Sequence, residues 1–211
     1  MASSAEREIR DALVSWWHSH EPRGRVVHEL PLSSFSGEGR ADLAVVFPDM
    51  LVLVEIKSER DKLTRLQDQF KAMQASSHDF MCVLHDRWFD PSGEVQDQTW
   101  INWAAKDHIW RYPEPAKGWT FERYSRGYTT SLPPNPYRLL SLLWADELRD
   151  CYGYAGIMGI GRATMPAMVS DLGQKLNGRQ ITRAVCAALR RRKFNEADPA
   201  MDDSPTPQIE F

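Results

Sequence analysis

Between Arg25 and Lys57 the chain carries three short runs rich in valine and leucine, "RVVHELPL", "ADLAVVF" and "MLVLVEIK". A Ser/Gly-rich stretch separates the first two, and the tight "FPDM" connection separates the last two. Runs of this length with β-branched residues predict sequential strands. The third run is apolar at consecutive positions, the pattern of an internal strand covered on both faces. A strand of that kind has little solvated surface, so the two charges at its end, Glu55 and Lys57, need a reason to be there.

The flanking patterns have a helical period. "SSAEREIRDALVSWWHSH" opens on a serine cap and places Ile9, Leu13, Trp16 and Trp17 on one face before Pro22 and Gly24 end it. "DKLTRLQDQFKAMQ" repeats apolar residues at Leu63, Leu66, Phe70 and Met73, with Asp61 as its expected cap, and "DFMCVLHD" reads as a fourth strand. Residues 1–87 therefore predict an α/β core in the order helix, three strands, helix, strand, with a mixed sheet flanked by helices. Residues 88–135 alternate prolines, glycines and tryptophans (Trp88, Trp100, Trp103, Trp110, Trp119) without a sustained period and predict an irregular connection with short elements. Residues 136–194 predict a helical subdomain from "YRLLSLLWADELRD", "TMPAMVSDLGQKL" and "RQITRAVCAALRRRKF". The acidic, proline-containing residues 195–211 predict a disordered or weakly docked tail.

Bulk properties narrow the classes. The 211 residues, 42% of them hydrophobic, supply one substantial core. Cys82, Cys151 and Cys186 are odd in number and lack zinc-site spacing, which fits reduced thiols in a cytosolic setting. No segment approaches the roughly 20 apolar residues that span a bilayer, so the expectation is a cytoplasmic protein with no membrane partner. A net charge of -3 averages an acidic tail against basic segments such as Arg190 to Lys193 and does not decide for or against nucleic acid. "GIMGIGRAT" (Gly156–Thr164) lacks the Gly-Lys-Ser/Thr ending of a phosphate loop and reads as a turn between helices.

The chemistry is concentrated in three residues. Asp42 interrupts the second apolar run, and Glu55 and Lys57 sit two apart on the third, so alternation puts both on one face and a hairpin brings Asp42 beside them. Two carboxylates can hold Mg²⁺ with waters retained, and a neighbouring ammonium can stabilise the anionic charge of phosphodiester hydrolysis. Asp42 and Glu55 are the expected metal ligands, joined by the backbone carbonyl of Ile56, with Lys57 orienting the water or phosphate. Spacing alone is also compatible with a weak cross-strand ion pair on an exposed face. The apolar setting favours the catalytic reading.

This arrangement resembles the PD-(D/E)xK nuclease superfamily. Glu29 and Leu30, Gly39 to Asp42, Glu55 to Ser58, and Leu63, Arg65, Leu66 and Gln69 are similar to the signature of small bacterial and phage members with a helical C-terminal region, related to MmcB-type DNA repair proteins and VRR-type nucleases. The resemblance implies a restriction-endonuclease-like core and a Mg²⁺-dependent endonuclease, with Mn²⁺ as a substitute. It implies DNA as the partner in repair, phage or mobile-element processes. It also implies that Glu29 is an accessory metal acid and that Gln69 orients Lys57 or a phosphate. Glu8 is a further candidate acid, although a solvated helix face is its simpler reading, and Gln67 is a near neighbour of Gln69. Arg60, Lys62, Arg65 and the basic turn at Arg190 to Lys193 are either a phosphate track or ordinary solvated positions. The alternative function is a non-catalytic nucleic-acid-binding, protein-interaction or inhibitory module that keeps the fold. A protein partner or a homo-oligomer is a further expectation.

Overall fold

A computed structural model of the chain describes residues 4–33, 39–96, 108–113, 122–123 and 133–201. The helix α1 (Ser4–His20) leads into β1 (Arg25–Pro31), β2 (Arg40–Val46) and β3 (Leu51–Lys57), followed by α2 (Leu66–Ser76) and β4 (Asp79–His85). A 3-10 turn (Asp86–Trp88), β5 (Ile109–Tyr112) and the two-residue β6 (Glu122–Arg123) come next. Four helices complete the order: α3 (Pro136–Leu140), α4 (Ala145–Tyr154), α5 (Met165–Lys175) and α6 (Gly178–Arg191). The strands form one mixed sheet in sequential order, antiparallel from β1 to β3, parallel from β3 to β5 and antiparallel at β6.

The expected order over residues 1–87 is the observed one, and β3 is internal, with all seven of its residues buried. Side-chain alternation then sorts two apolar layers. Val52, Val54 and Ile56 join Ile9, Leu13 and Trp17 of α1. Leu51 and Leu53 join α2 and the C-terminal helices on the other face. Glu55 and Lys57 share the parity of Leu51 and Leu53 and therefore rise on the α2 side.

Residues 88–135 carry short elements as expected, and one of them, Ile109–Tyr112, adds a strand beside β4; Trp100, Trp103 and Trp119 lie outside the described residues. Other expectations need correction. The second helix starts at Leu66 instead of near Asp61, whose carboxylate accepts the Ser58 N–H at 2.7 Å and hydroxyl at 2.6 Å and so fixes the turn leaving β3. "YRLLSLLWADELRD" breaks into α3 and α4, because the Glu147 carboxylate accepts the Trp144 N–H at 2.7 Å and starts a new helix. The helical region does not stand apart: its leucines share one apolar layer with the sheet.

The tail is also corrected for residues 195–201; residues 202–211 lie outside the described part. His28 N–H donates to Glu196 O at 3.0 Å, and Asp198 N–H donates to Val26 O at 2.9 Å, so this segment lines the free edge of β1. What holds it is Arg25, whose side chain is fully buried at 2% exposure. Its Nη1 donates to the carbonyls of Leu189, Arg190 and Arg192 at 2.7–2.9 Å, and its Nε and Nη2 donate to Asp198 O at 3.1 and 3.0 Å. One guanidinium thus satisfies the carbonyls left open at the end of α6. The basic turn faces inward as well. Arg190 donates to Arg23 O and Val46 O, and Arg192 donates to Leu142 O and pairs with Glu147. These two arginines are structural and not a phosphate grip.

Among the described residues, no helix is long and apolar enough to cross a membrane. Arg25→Met should lower the unfolding free energy by about 3 kcal/mol, since several buried acceptors lose their donor at once, and urea denaturation followed by tryptophan fluorescence reads the change.

Candidate functional site

The site forms where β2 and β3 separate. Their ladder ends at Leu43 opposite Val54, and beyond it Asp42 Oδ2 accepts the Ile56 N–H at 2.7 Å. A carboxylate therefore replaces a strand as the partner of that amide, and the opening beside it admits side chains instead of backbone. On β1 the corresponding residue is Glu29, which lies between the pairs His28–Leu43 and Leu30–Ala41. Glu29 has φ 54°, a left-handed conformation that costs a non-glycine residue roughly 1–2 kcal/mol. Alternation breaks here on both strands: Val27 and Leu30, and likewise Ala41 and Ala44, pack in the same layer although each pair is three residues apart.

Glu55 and Lys57 stand on the next strand, 3% and 7% exposed. The Lys57 ammonium donates to Glu55 Oε1 at 2.6 Å, and the Gln69 amide of α2 donates a short hydrogen bond to the same oxygen. Sequence reasoning placed Gln69 on Lys57 or a phosphate; it lies on Glu55. Two donors on Oε1 fix the carboxylate plane. Among the described residues no hydrogen bond reaches Glu55 Oε2 or Asp42 Oδ1.

Burial sets the electrostatics. It raises the Asp42 carboxyl to about 7, with the Glu55 charge adding to the rise and the Ile56 amide opposing it. Burial also raises Glu55, against the pull of Lys57 and Gln69. For Lys57 burial acts to lower the pKa, but the Glu55 carboxylate outweighs it and holds the ammonium above its ordinary value. The cluster carries one cation against two acids in a sparsely hydrated place.

The other expected residues fall around it. Ile56 packs its side chain on the α1 layer and gives its N–H to Asp42. Glu29 does not reach the acids: Arg40 Nη1 lies 3.0 Å from its carboxylate and Arg10 Nη2 lies 3.8 Å from it. Glu8 accepts from the Tyr112 hydroxyl at 3.1 Å. Glu6 is the acid of α1 whose charge bears on Asp42, and it is held by Arg10 at 2.6 Å. Sequence reasoning missed it; its i,i+4 spacing to a buried arginine was the available signal. Gln67, Arg60, Lys62 and Arg65 are exposed. Among the described residues, no three His, Cys, Asp or Glu side chains gather tightly enough to hold a metal ion by themselves.

Fold and site together define a mixed α/β protein with a buried acid–lysine cluster at the carboxyl end of a central strand. A family model described as bacteriophage P4 protein cII matches residues 1–91, so the segment bearing every residue of the cluster is similar to that family. Comparison with curated proteins and with solved structures finds no match.

Because the fold raises the Asp42 pKa, protonation favours the native state. That contribution is complete below the ordinary carboxylate value of 3.8 and is lost as pH rises through about 7. Asp42→Asn cannot ionise, so in EDTA its melting temperature should lack the part of the decline that wild type shows across this window, as read by differential scanning fluorimetry.

Proposed function

We propose that the chain is a metal-dependent nuclease that hydrolyses phosphodiester bonds in DNA, with a restriction-endonuclease-like core of the PD-(D/E)xK type. The observation that carries this reading is the convergence of Asp42, Glu55, Lys57 and Gln69 from β2, β3 and α2 at one break in the sheet. The order of α1, three antiparallel strands, a helix and a parallel strand supports the core assignment. Similarity of residues 1–91 to a phage family agrees with a setting in phage or mobile-element biology.

The donor set suits Mg²⁺. Hard carboxylate oxygens are the ligands this ion prefers, and it binds through one or two of them while keeping water, so a third protein carboxylate is not required. Asp42 Oδ1 and Glu55 Oε2 are the oxygens available to it, with the Ile56 carbonyl as the backbone contribution. Bound there, the ion would supply a Lewis acid and acidify the attacking water. Mn²⁺ has the same preference for oxygen ligands.

The remaining work belongs to the side chains. Gln69 and Lys57 anchor Glu55 Oε1, which keeps Oε2 presented. The Lys57 ammonium stands where negative charge grows on the phosphate as the water oxygen bonds to phosphorus and the leaving oxygen departs. Held at 2.6 Å on Glu55 Oε1, the Lys57 ammonium supplies a positive charge beside the acids.

Supercoiled plasmid, branched DNA and single strands incubated with Mg²⁺, Mn²⁺ or EDTA test the reading. Cleavage should need the metal and should fall about 100-fold or more in Asp42→Ala, Glu55→Ala and Lys57→Ala, with a smaller loss, about tenfold, in Gln69→Ala. Calorimetric Mg²⁺ binding should vanish with Asp42→Ala and survive Lys57→Ala. Absence of cleavage with every metal, or cleavage unchanged in these variants, overturns the enzyme reading, and DNA binding without cleavage supports the non-catalytic module.

A further inference from the structure

Beside the acid cluster lies a charge relay that the catalytic reading leaves unused. Glu29 sits opposite Asp42 across the strands, yet its carboxylate turns toward two guanidiniums. Arg40 Nη1 approaches it at 3.0 Å from the strand bearing Asp42, and Arg10 Nη2 stands 3.8 Å away on α1. The two arginines differ in kind. Arg10 is buried and committed to Glu6 at 2.6 Å, and among the described residues its Nε has no partner. Arg40 is 59% exposed and pairs with a carboxylate that is itself 38% exposed.

An ion pair that exposed is weak, so its partner is easily exchanged. A guanidinium recognises carboxylate and phosphate with the same fork of donors. Arg40 stands two residues from Asp42 on the same strand, with its side chain largely exposed beside the break. Glu29 is held in a left-handed backbone conformation. That conformation is tolerated where the surroundings fix it, and it is the kind of stored strain found where a residue changes partners.

We propose that Arg40 is a contact for the nucleic-acid phosphate backbone, and that in the free protein Glu29 occupies it as an internal stand-in for the phosphate. On binding, the backbone displaces the Glu29 carboxylate from Arg40. Arg10 stays beside Glu29 as a buried positive charge. This rests on nucleic acid being the substrate of the site but not on catalysis.

Binding in EDTA isolates the exchange from metal and cleavage. Fluorescence anisotropy with a short labelled DNA duplex is read for wild type, Glu29→Gln, Arg40→Ala and the double variant over a series of salt concentrations. Glu29→Gln should tighten binding roughly two- to fivefold, the release of one exposed pair. Arg40→Ala should weaken it and lower the slope of log Kd against log salt by about 1, the signature of one lost phosphate contact. The double variant should match Arg40→Ala, because Glu29 acts through Arg40. Glu29→Gly, which accepts the positive φ without strain, should bind as Glu29→Gln does and guards against misfolding of the latter.

A gain that persists without Arg40 would make Glu29 a general repulsive charge and overturn the proposal. So would an unchanged salt slope in Arg40→Ala, or a wild type that binds no duplex. Metal-dependent cleavage lost in Asp42→Ala would still support the nuclease reading in the first two cases, so the two failures are separable.

Discussion

The buried guanidinium of Arg25 is the contact on which the assembly of this chain depends. A fully buried arginine is costly unless its donors find acceptors, and here they find the end of α6 and the segment after it. Burial lowers its pKa and the nearby Asp198 offsets that effect. The requirement runs both ways. The last carbonyls of α6 need a donor, and β1 needs its outer edge covered. One side chain answers both demands and joins the first strand to residues more than 160 positions away in sequence. The sheet and the helical region therefore form one apolar layer between them.

The candidate site rests on a different kind of compromise. Strand pairing fails at one level of the sheet, and polar groups take over from the backbone there. Asp42 substitutes for a strand on the Ile56 amide, and Glu29 bends out of alternation opposite it. Placing two acids and one ammonium in that break leaves the charges unbalanced. The native protein tolerates this because the rest of the sheet is well paired and densely packed on both faces. Unbalanced charge at an otherwise well-satisfied sheet marks the place where the structure conflicts with itself, and such conflicts concentrate at functional positions.

How much of this could be read from the residues alone follows from the range of the interactions. Strands β1 to β4, the first two helices and the meeting of Asp42, Glu55 and Lys57 are set by period and parity, which are local properties. The fifth strand was expected only as one of several short elements without a place, because "IWRY" gains its strand character by pairing with β4 and not from its own pattern. The break between α3 and α4 depended on one capping glutamate, Glu147, inside a run that otherwise looked helical throughout. The tail looked disordered by composition, and nothing near it in sequence announced Arg25. Glu29 was expected to serve as an acid, but its partners are set by φ and by an arginine from another helix. Gln69 was expected to orient Lys57 or a phosphate, and its amide donates to Glu55, since helix spacing gives a face but not the atom it touches.

The pairing of residues 195–198 with β1 bears on the order in which the protein is made. Residues up to about Gln69 complete the acid cluster in sequence, and they leave the ribosome well before Asp198 does. Until Asp198 arrives, Arg25 has no complete set of acceptors and the β1 edge stays open, so the cluster sits in an unfinished sheet while the residues between Gln69 and Asp198 are made. An acid–lysine cluster encoded early in the chain is thus consolidated by residues far from it in sequence.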